Sequence, residues 1–170
     1  AGVTWGAGPQ QQGAVVIPGG AKVSFGANQT KVSLDNRRYW EFQSWVRLPA
    51  PIAATQQAHL FGRADSVYNI GSRTFFINDS GFLCLAVAGG SSLVSNEDPI
   101  AMDDGNWYYV QAGYYPDGRL RWLVNGIRQY NNSWADATDN ATFDLFLGYP
   151  FVNAGYANTV YMASPNYRLL

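Results

Sequence analysis

The sequence has 170 residues, of which 47% are hydrophobic, 15% aromatic and only 14% charged, with a net charge of −1. This composition excludes a disordered chain, and the near-zero charge without a basic cluster excludes an electrostatic surface for nucleic acid. No apolar stretch is long enough to span a bilayer, so we expect no membrane insertion.

The beginning of the chain is rich in Gly and Gln. We interpret residues 1–20 as an N-terminal arm or edge segment, and residues 21–170 as a single domain. The opening residues lack the charged and apolar regions of a signal peptide. Either a signal peptide has been removed, or the protein is made in the cytoplasm and begins with Ala1 after loss of Met.

Strand and turn patterns follow one another along the chain, and no window keeps the apolar period of a helix. Lys22–Phe25 and Lys31–Leu34 alternate polar and apolar residues and predict a hairpin. Trp40–Leu48 alternates over its whole length and ends at Pro49. Further strands are predicted at His59–Gly62, Thr74–Asn78, Phe82–Val87, Trp107–Tyr115, Leu120–Val124, Ile127–Tyr130, Asp144–Gly148 and Thr159–Met162.

Turn residues separate these strands. Asn125-Gly126 has the composition of a type I′ hairpin turn, and the polar stretch Asn131–Ala141 predicts a loop. Many short strands separated by turns indicate an all-β protein with the strands in a sandwich or barrel.

Several stretches resemble laminin-G-like domains in the right order. Tyr39–Arg47 is similar to an early strand of that family, and Phe76–Leu83 to the strand-turn-strand that follows. Asp104–Gly126 resembles the central signature, in which a loop leads to Trp, two bulky residues and Val, then to a tight turn and another strand. Asn158–Leu170 resembles the closing strand. The resemblance, from Lys22 to the end of the chain, implies a two-sheet antiparallel jelly-roll sandwich of the concanavalin A-like/laminin-G-like lectin fold.

Three departures from the family favour a bacterial or phage member over an animal one. Tyr108 and Tyr109 stand where the family often has paired His, and the closing strand lacks the usual acidic residue. The disulfide of animal members cannot form because Cys84 is the only cysteine.

Catalytic patterns are absent from the sequence. Retaining glycosidases of this fold need two carboxylates about 5 Å apart. Glu41 and Glu97 are the only glutamates, and neither lies in a Glu-x-Asp-x-x-Glu strand. His59 is the only histidine, and no Gly-x-Ser-x-Gly elbow accompanies it. We therefore predict no enzyme activity and no catalytic residue.

An acidic cluster before Trp107 is a weak candidate for Ca²⁺. Asp98, Asp103 and Asp104 supply the oxygen ligands that Ca²⁺ prefers, and lectin-like sandwiches often hold this ion in loops. The same residues form an ordinary turn sequence, which is the preferred interpretation. We expect no cofactor, with Ca²⁺ as the alternative.

Strand alternation predicts a binding surface. If Trp40, Phe42 and Val46 face the core, the opposite face carries polar and aromatic side chains suited to sugar stacking or a protein interface: Gln43, Trp45, Arg47, Tyr109, Gln111, Arg121 and Leu123. The alternative is that a loop covers this face and Trp45 belongs to a second small core. A second candidate patch consists of the loop aromatics Tyr130, Trp134, Tyr149, Phe151 and Tyr156.

These observations favour a non-catalytic structural or adhesive module. The form that we favour is a phage virion surface protein, either a capsid decoration or tail-associated, with secretion or a cell surface as the alternative location. Its expected partners are other virion or surface proteins, and we expect a homo-oligomer or an assembly-bound state. The alternative function is a carbohydrate-binding module with a glycan partner, and a glycoside hydrolase is less favoured.

Overall fold

A computed structural model of the chain describes residues 2–34, 36–65, 72–87, 93–133, 140–148 and 158–170. These residues form thirteen strands and a short 3-10 turn, Pro9–Gln11. The strands are β1 Thr4–Ala7, β2 Gly13–Ile17, β3 Lys22–Gly26, β4 Trp40–Arg47, β5 Ala58–Ala64, β6 Arg73–Ile77, β7 Leu83–Val87, β8 Leu93–Val94, β9 Tyr108–Tyr114, β10 Arg119–Val124, β11 Ile127–Ser133, β12 Asp144–Gly148 and β13 Val160–Leu169.

The strands make two antiparallel sheets, as the sequence predicts. The seven-stranded sheet has the order β1-β2-β13-β4-β9-β10-β11, and the six-stranded sheet has the order β3-β12-β5-β6-β7-β8. Residues 4–17 thus contribute β1 and β2 to one edge of the larger sheet. No helix in the described part of the chain is long and apolar enough to cross a membrane.

Tight turns with positive φ angles connect β9, β10 and β11. Asn125 and Gly126, between β10 and β11, have φ of 51° and 80°. Positive φ at both residues is what a type I′ turn requires, which confirms the Asn-Gly prediction. Gly118, between β9 and β10, also has a positive φ of 77°. Residues with a side chain adopt this backbone conformation only at a cost in energy, whereas Gly adopts it freely.

The core lies between the two sheets. Phe42 in β4 stacks on Phe61 in β5 with ring centroids 4.2 Å apart, so the sheets meet face to face. Phe75 in β6 meets Trp40 and Trp122 edge to face, at 6.2 and 5.8 Å. Each of these buried aromatic side chains contributes roughly 1.5–3 kcal/mol, and they fix which face of the larger sheet points inward.

The two sheets differ in how far the faces that point away from the core are buried. Every residue of β5 and β6 is buried, including the polar His59, Arg63 and Thr74. In β4, by contrast, buried residues alternate with half-buried ones from Phe42 onward. Among the described residues, the larger sheet therefore offers the more accessible broad surface.

The hairpin predicted for Lys22–Phe25 and Lys31–Leu34 is not formed. β3 pairs instead with β12, and residues 31–34 contain no strand. The buried Arg63 occupies this region, and its Nη2 donates to the carbonyl oxygens of Gln29 and Val32 at 2.9 Å. Hydrogen bonding to this side chain replaces the strand pairing expected for the segment.

Candidate binding face

We call the side of the seven-stranded sheet that points away from the core the outward face. Strand register brings one set of side chains together there: Glu41, Gln43, Trp45, Arg47, Tyr109, Gln111, Arg121, Leu123, Tyr161 and Arg168. The predicted residues of β4, β9 and β10 thus share this face, and most of its side chains are half-buried.

Trp45 and Tyr109 form an aromatic pair in the middle of the face. They are cross-strand neighbours in β4 and β9, and their ring centroids lie 5.2 Å apart. The Tyr109 hydroxyl donates to Gln43 Oε1 at 2.7 Å. Burial, with a smaller effect from the Glu41 charge, raises the pKa of Tyr109, so this hydroxyl stays protonated at neutral pH. The Tyr109 ring is therefore held in place by a hydrogen bond, and Trp45 packs against it.

Glu41 is the junction of this hydrogen-bond network. Its nearly buried carboxylate accepts from Arg168 Nη2 at 2.8 Å, from Tyr115 Oη at 2.6 Å and from the amide of Gln43. Burial, followed by the hydrogen bond to Glu41, raises the pKa of Tyr115. A carboxylate with three donors is a structural acceptor, which is how a buried charge is stabilised.

A groove of about 470 Å³ opens beside this network, lined by Glu41, Gln111, Tyr115, Arg121, Leu123 and Arg128. Gly113 separates Glu41 from Arg121 in the cross-strand row, so no side chain fills the space between them. Gly113 is required there, because an added Cβ would lie 2.2 Å from the Trp40 carbonyl oxygen. The Arg121 guanidinium lies 5.0 Å from the Tyr115 ring and donates to Asn131.

Arg47 lies at the other end of the outward face and contacts two aromatic rings. The guanidinium carbon of Arg47 lies 4.4 Å from the Tyr161 ring centroid and 5.4 Å from that of Trp107. Tyr161 is the cross-strand neighbour of Arg47 in β13. These distances are those of cation–π contacts, which hold the guanidinium in a fixed position.

The prediction that Tyr130 belongs to a loop patch is wrong. β11 continues to Ser133, and Tyr130 lies opposite Trp122 on the core side of the sheet. Its ring stacks on Trp122 at 4.1 Å and only 7% of the residue is exposed. The other members of that patch, Trp134, Tyr149, Phe151 and Tyr156, lie outside the described residues.

Of the acidic candidates, Asp104 makes the hydrogen bonds of a turn. Asp104 accepts hydrogen bonds from the backbone and side chain of Asn106 and from the Tyr108 hydroxyl, at 2.7 to 2.9 Å. The first of these bonds does most to lower the pKa of Asp104. Within the described ranges, no three His, Cys, Asp or Glu side chains form a group that could hold a metal ion.

Five residues on or beside the outward face were not among the predicted binding residues: Glu41, Trp107, Tyr115, Tyr161 and Arg168. Tyr115 could have been found, because it continues the two-residue step from Tyr109 and Gln111. Arg168 could not, because a bulge between Ala163 and Asn166 changes the register of β13 before Arg168 reaches Glu41.

The sequence matches no protein-family model and no curated protein. Solved structures share its fold. The binding domain of Paraclostridial Mosquitocidal Protein 1 aligns with 100% of this chain and 43% of its own, at 14% identity and a TM-score of 0.75. Botulinum neurotoxin type C, whose cell entry is described as dependent on two ganglioside molecules, aligns with 97% of this chain and 40% of its own, at 11% identity and 0.66. The botulinum neurotoxin type G receptor binding domain aligns with 99% of this chain and 43% of its own, at 12% identity and a TM-score of 0.61.

The chain therefore spans less than half the length of these solved chains. At such identities the likeness shows the fold alone. That fold is an all-β arrangement that the mosquitocidal protein and the type G neurotoxin use in binding domains.

Proposed function

We propose that the chain is a non-catalytic binding module with the laminin-G/concanavalin A-like jelly-roll topology, and that it recognises carbohydrate on the outward face. The observation that carries this proposal is the Trp45–Tyr109 pair adjoining a polar groove. Sugars combine apolar ring faces with many hydroxyl groups, so they are bound by aromatic rings placed beside hydrogen-bonding side chains.

Fixed geometry of the site supports the same proposal. The donors and acceptors around the groove are held by contacts within the sheet, as in the bonds of Tyr109 to Gln43 and of Arg168 to Glu41. Side chains that are already ordered lose little entropy when a ligand binds, so weak polar contacts with a sugar give useful affinity.

The engagement of Glu41 supports a non-catalytic role. A retaining glycosidase uses a carboxylate as nucleophile and a second as acid, both directed at the substrate. The Glu41 carboxylate is nearly buried and is occupied by Arg168, Tyr115 and Gln43. For such a module we propose a location at the surface of a virion or of a cell, or outside the cell after secretion.

A glycan array followed by calorimetric titration tests the proposal. Trp45→Ala is expected to weaken binding of any array hit about tenfold or more, because it removes the stacking ring. Trp5→Ala is the matched control, because Trp5 is an 80% exposed tryptophan on the other side of the same sheet. Its strand partner is Val15, which pairs in turn with the inward-facing Met162, and cross-strand partners point to the same side. An array without hits, or binding lost only in Trp5→Ala, contradicts the proposal.

A further inference from the structure

Arg47 differs from three other arginines on or beside the outward face, because each of those three pairs with a carboxylate. Arg121 pairs with Asp117, Arg128 with Glu97, and Arg168 with Glu41. Arg47 has no carboxylate partner among the described residues; its contacts are the rings of Tyr161 and Trp107. The face therefore contains a positioned positive charge that the described part of the protein does not neutralise.

The surroundings of Arg47 determine which nitrogens are available. Its Nε is shielded from solvent and meets no hydrogen-bond acceptor among the described residues. The residue as a whole is only half-buried, so part of the side chain stays open to solvent. A half-buried guanidinium has lost part of its hydration, so a charged acceptor at its open edge is favoured more than at a fully solvated arginine. The two Nη groups form a fork that matches a carboxylate.

We propose that Arg47 binds the carboxylate of an acidic sugar while Trp45 stacks on the same or the adjoining sugar ring. The two side chains are alternate residues of β4 on one face, roughly 7 Å apart along the strand. This inference rests on the proposed function and names its substrate class: glycans that carry a uronic or sialic acid, in preference to neutral ones.

Two matched pairs of probes test the proposal by calorimetry. Sialyllactose is compared with lactose, and a hyaluronan oligosaccharide with its carboxyl-reduced form, so the two arms separate sialic acid from uronic acid. The intact chain is expected to bind at least one acidic probe on the order of ten- to a hundredfold more tightly than its neutral counterpart. Because the contact is ionic and partly exposed, this preference should shrink at high salt.

Variants then assign the preference to Arg47. Arg47→Gln is expected to abolish the difference between acidic and neutral probes, because the acidic probe loses its ionic contact. Arg47→Lys keeps the charge without the fork, should retain part of the preference, and guards against a folding defect in the first variant. Arg119→Gln is the matched control, because Arg119 is an exposed arginine of β10 outside the groove, and it should behave as the wild type.

The outcomes separate this inference from the proposed function. Equal affinity for acidic and neutral probes, or an unchanged preference in both Arg47 variants, overturns the inference while glycan binding through Trp45 stands. A preference lost in Arg119→Gln as well also overturns it, because net charge alone then explains the effect. Binding that is lost in Arg47→Gln but kept in Trp45→Ala supports the anion contact and contradicts the stacking surface. No binding of any probe or array glycan overturns both.

Discussion

Replacing Glu41 with Gln keeps the shape of a nearly buried side chain and removes its charge. The carboxylate accepts from Tyr115, Gln43 and Arg168 in the folded protein. Charge-assisted hydrogen bonds are roughly twice as strong as neutral ones, so the bonds from Tyr115 and Gln43 each weaken by about 1 kcal/mol. Arg168 adds less than about 1 kcal/mol, because its side chain is 54% exposed and can be hydrated instead.

These losses predict that Glu41→Gln lowers the free energy of unfolding by about 1–3 kcal/mol. For a chain of this length the melting temperature should fall by about 2–12 °C. Urea denaturation followed by tryptophan fluorescence measures the first quantity, and calorimetry the second. Glu97→Gln is the matched control: its ion pair with Arg128 is largely exposed, so we expect a change below about 0.5 kcal/mol. Equal stability of Glu41→Gln and wild type would refute the structural role of the carboxylate.

Two further predictions concern buried side chains. Tyr130→Ala should lower the free energy of unfolding by about 3–5 kcal/mol, because it empties the space beside Trp122; a loss below about 1 kcal/mol in urea denaturation would place Tyr130 at the surface. Burial lowers the pKa of His59 to about 3 from 6.5, so only the unfolded chain takes up a proton between these values. The free energy of unfolding should therefore fall as pH drops from 6.5 towards 3. Denaturation series at several pH values should show that it falls less steeply in His59→Gln than in the wild type. Equal pH dependence of the two proteins would contradict this.

The outward face was largely predictable from the sequence because it depends on strand periodicity. In β4 every second residue points to the same side, so identifying Trp40 and Phe42 as inward-facing places Trp45 and Arg47 outward. The error over Tyr130 has a local cause. The polar residues that end β11, Asn131–Ser133, have the composition of a loop, and only their pairing with β10 makes them a strand.

Long-range pairing was not predictable. β3 pairs with β12, a strand far along the chain, so no local pattern identifies its partner. The composition of β5 and β6 is equally uninformative. His59, Arg63 and Thr74 would be expected at the surface, but every residue of these two strands is buried. Tertiary contacts override the usual distribution of polar residues in these two strands.

The contrast between the two sheets explains why binding is assigned to the larger one. Its outward side chains contact one another, so that Trp45 packs on Tyr109 and Glu41 holds Arg168. Such contacts stabilise the sheet only moderately, because one side of each residue meets solvent. Their main effect is to fix the directions of rings, donors and acceptors before a ligand arrives, which reduces the entropy lost on binding. A substitution at Gln43 that leaves stability nearly unchanged should therefore still weaken glycan binding, because it releases the Tyr109 hydroxyl.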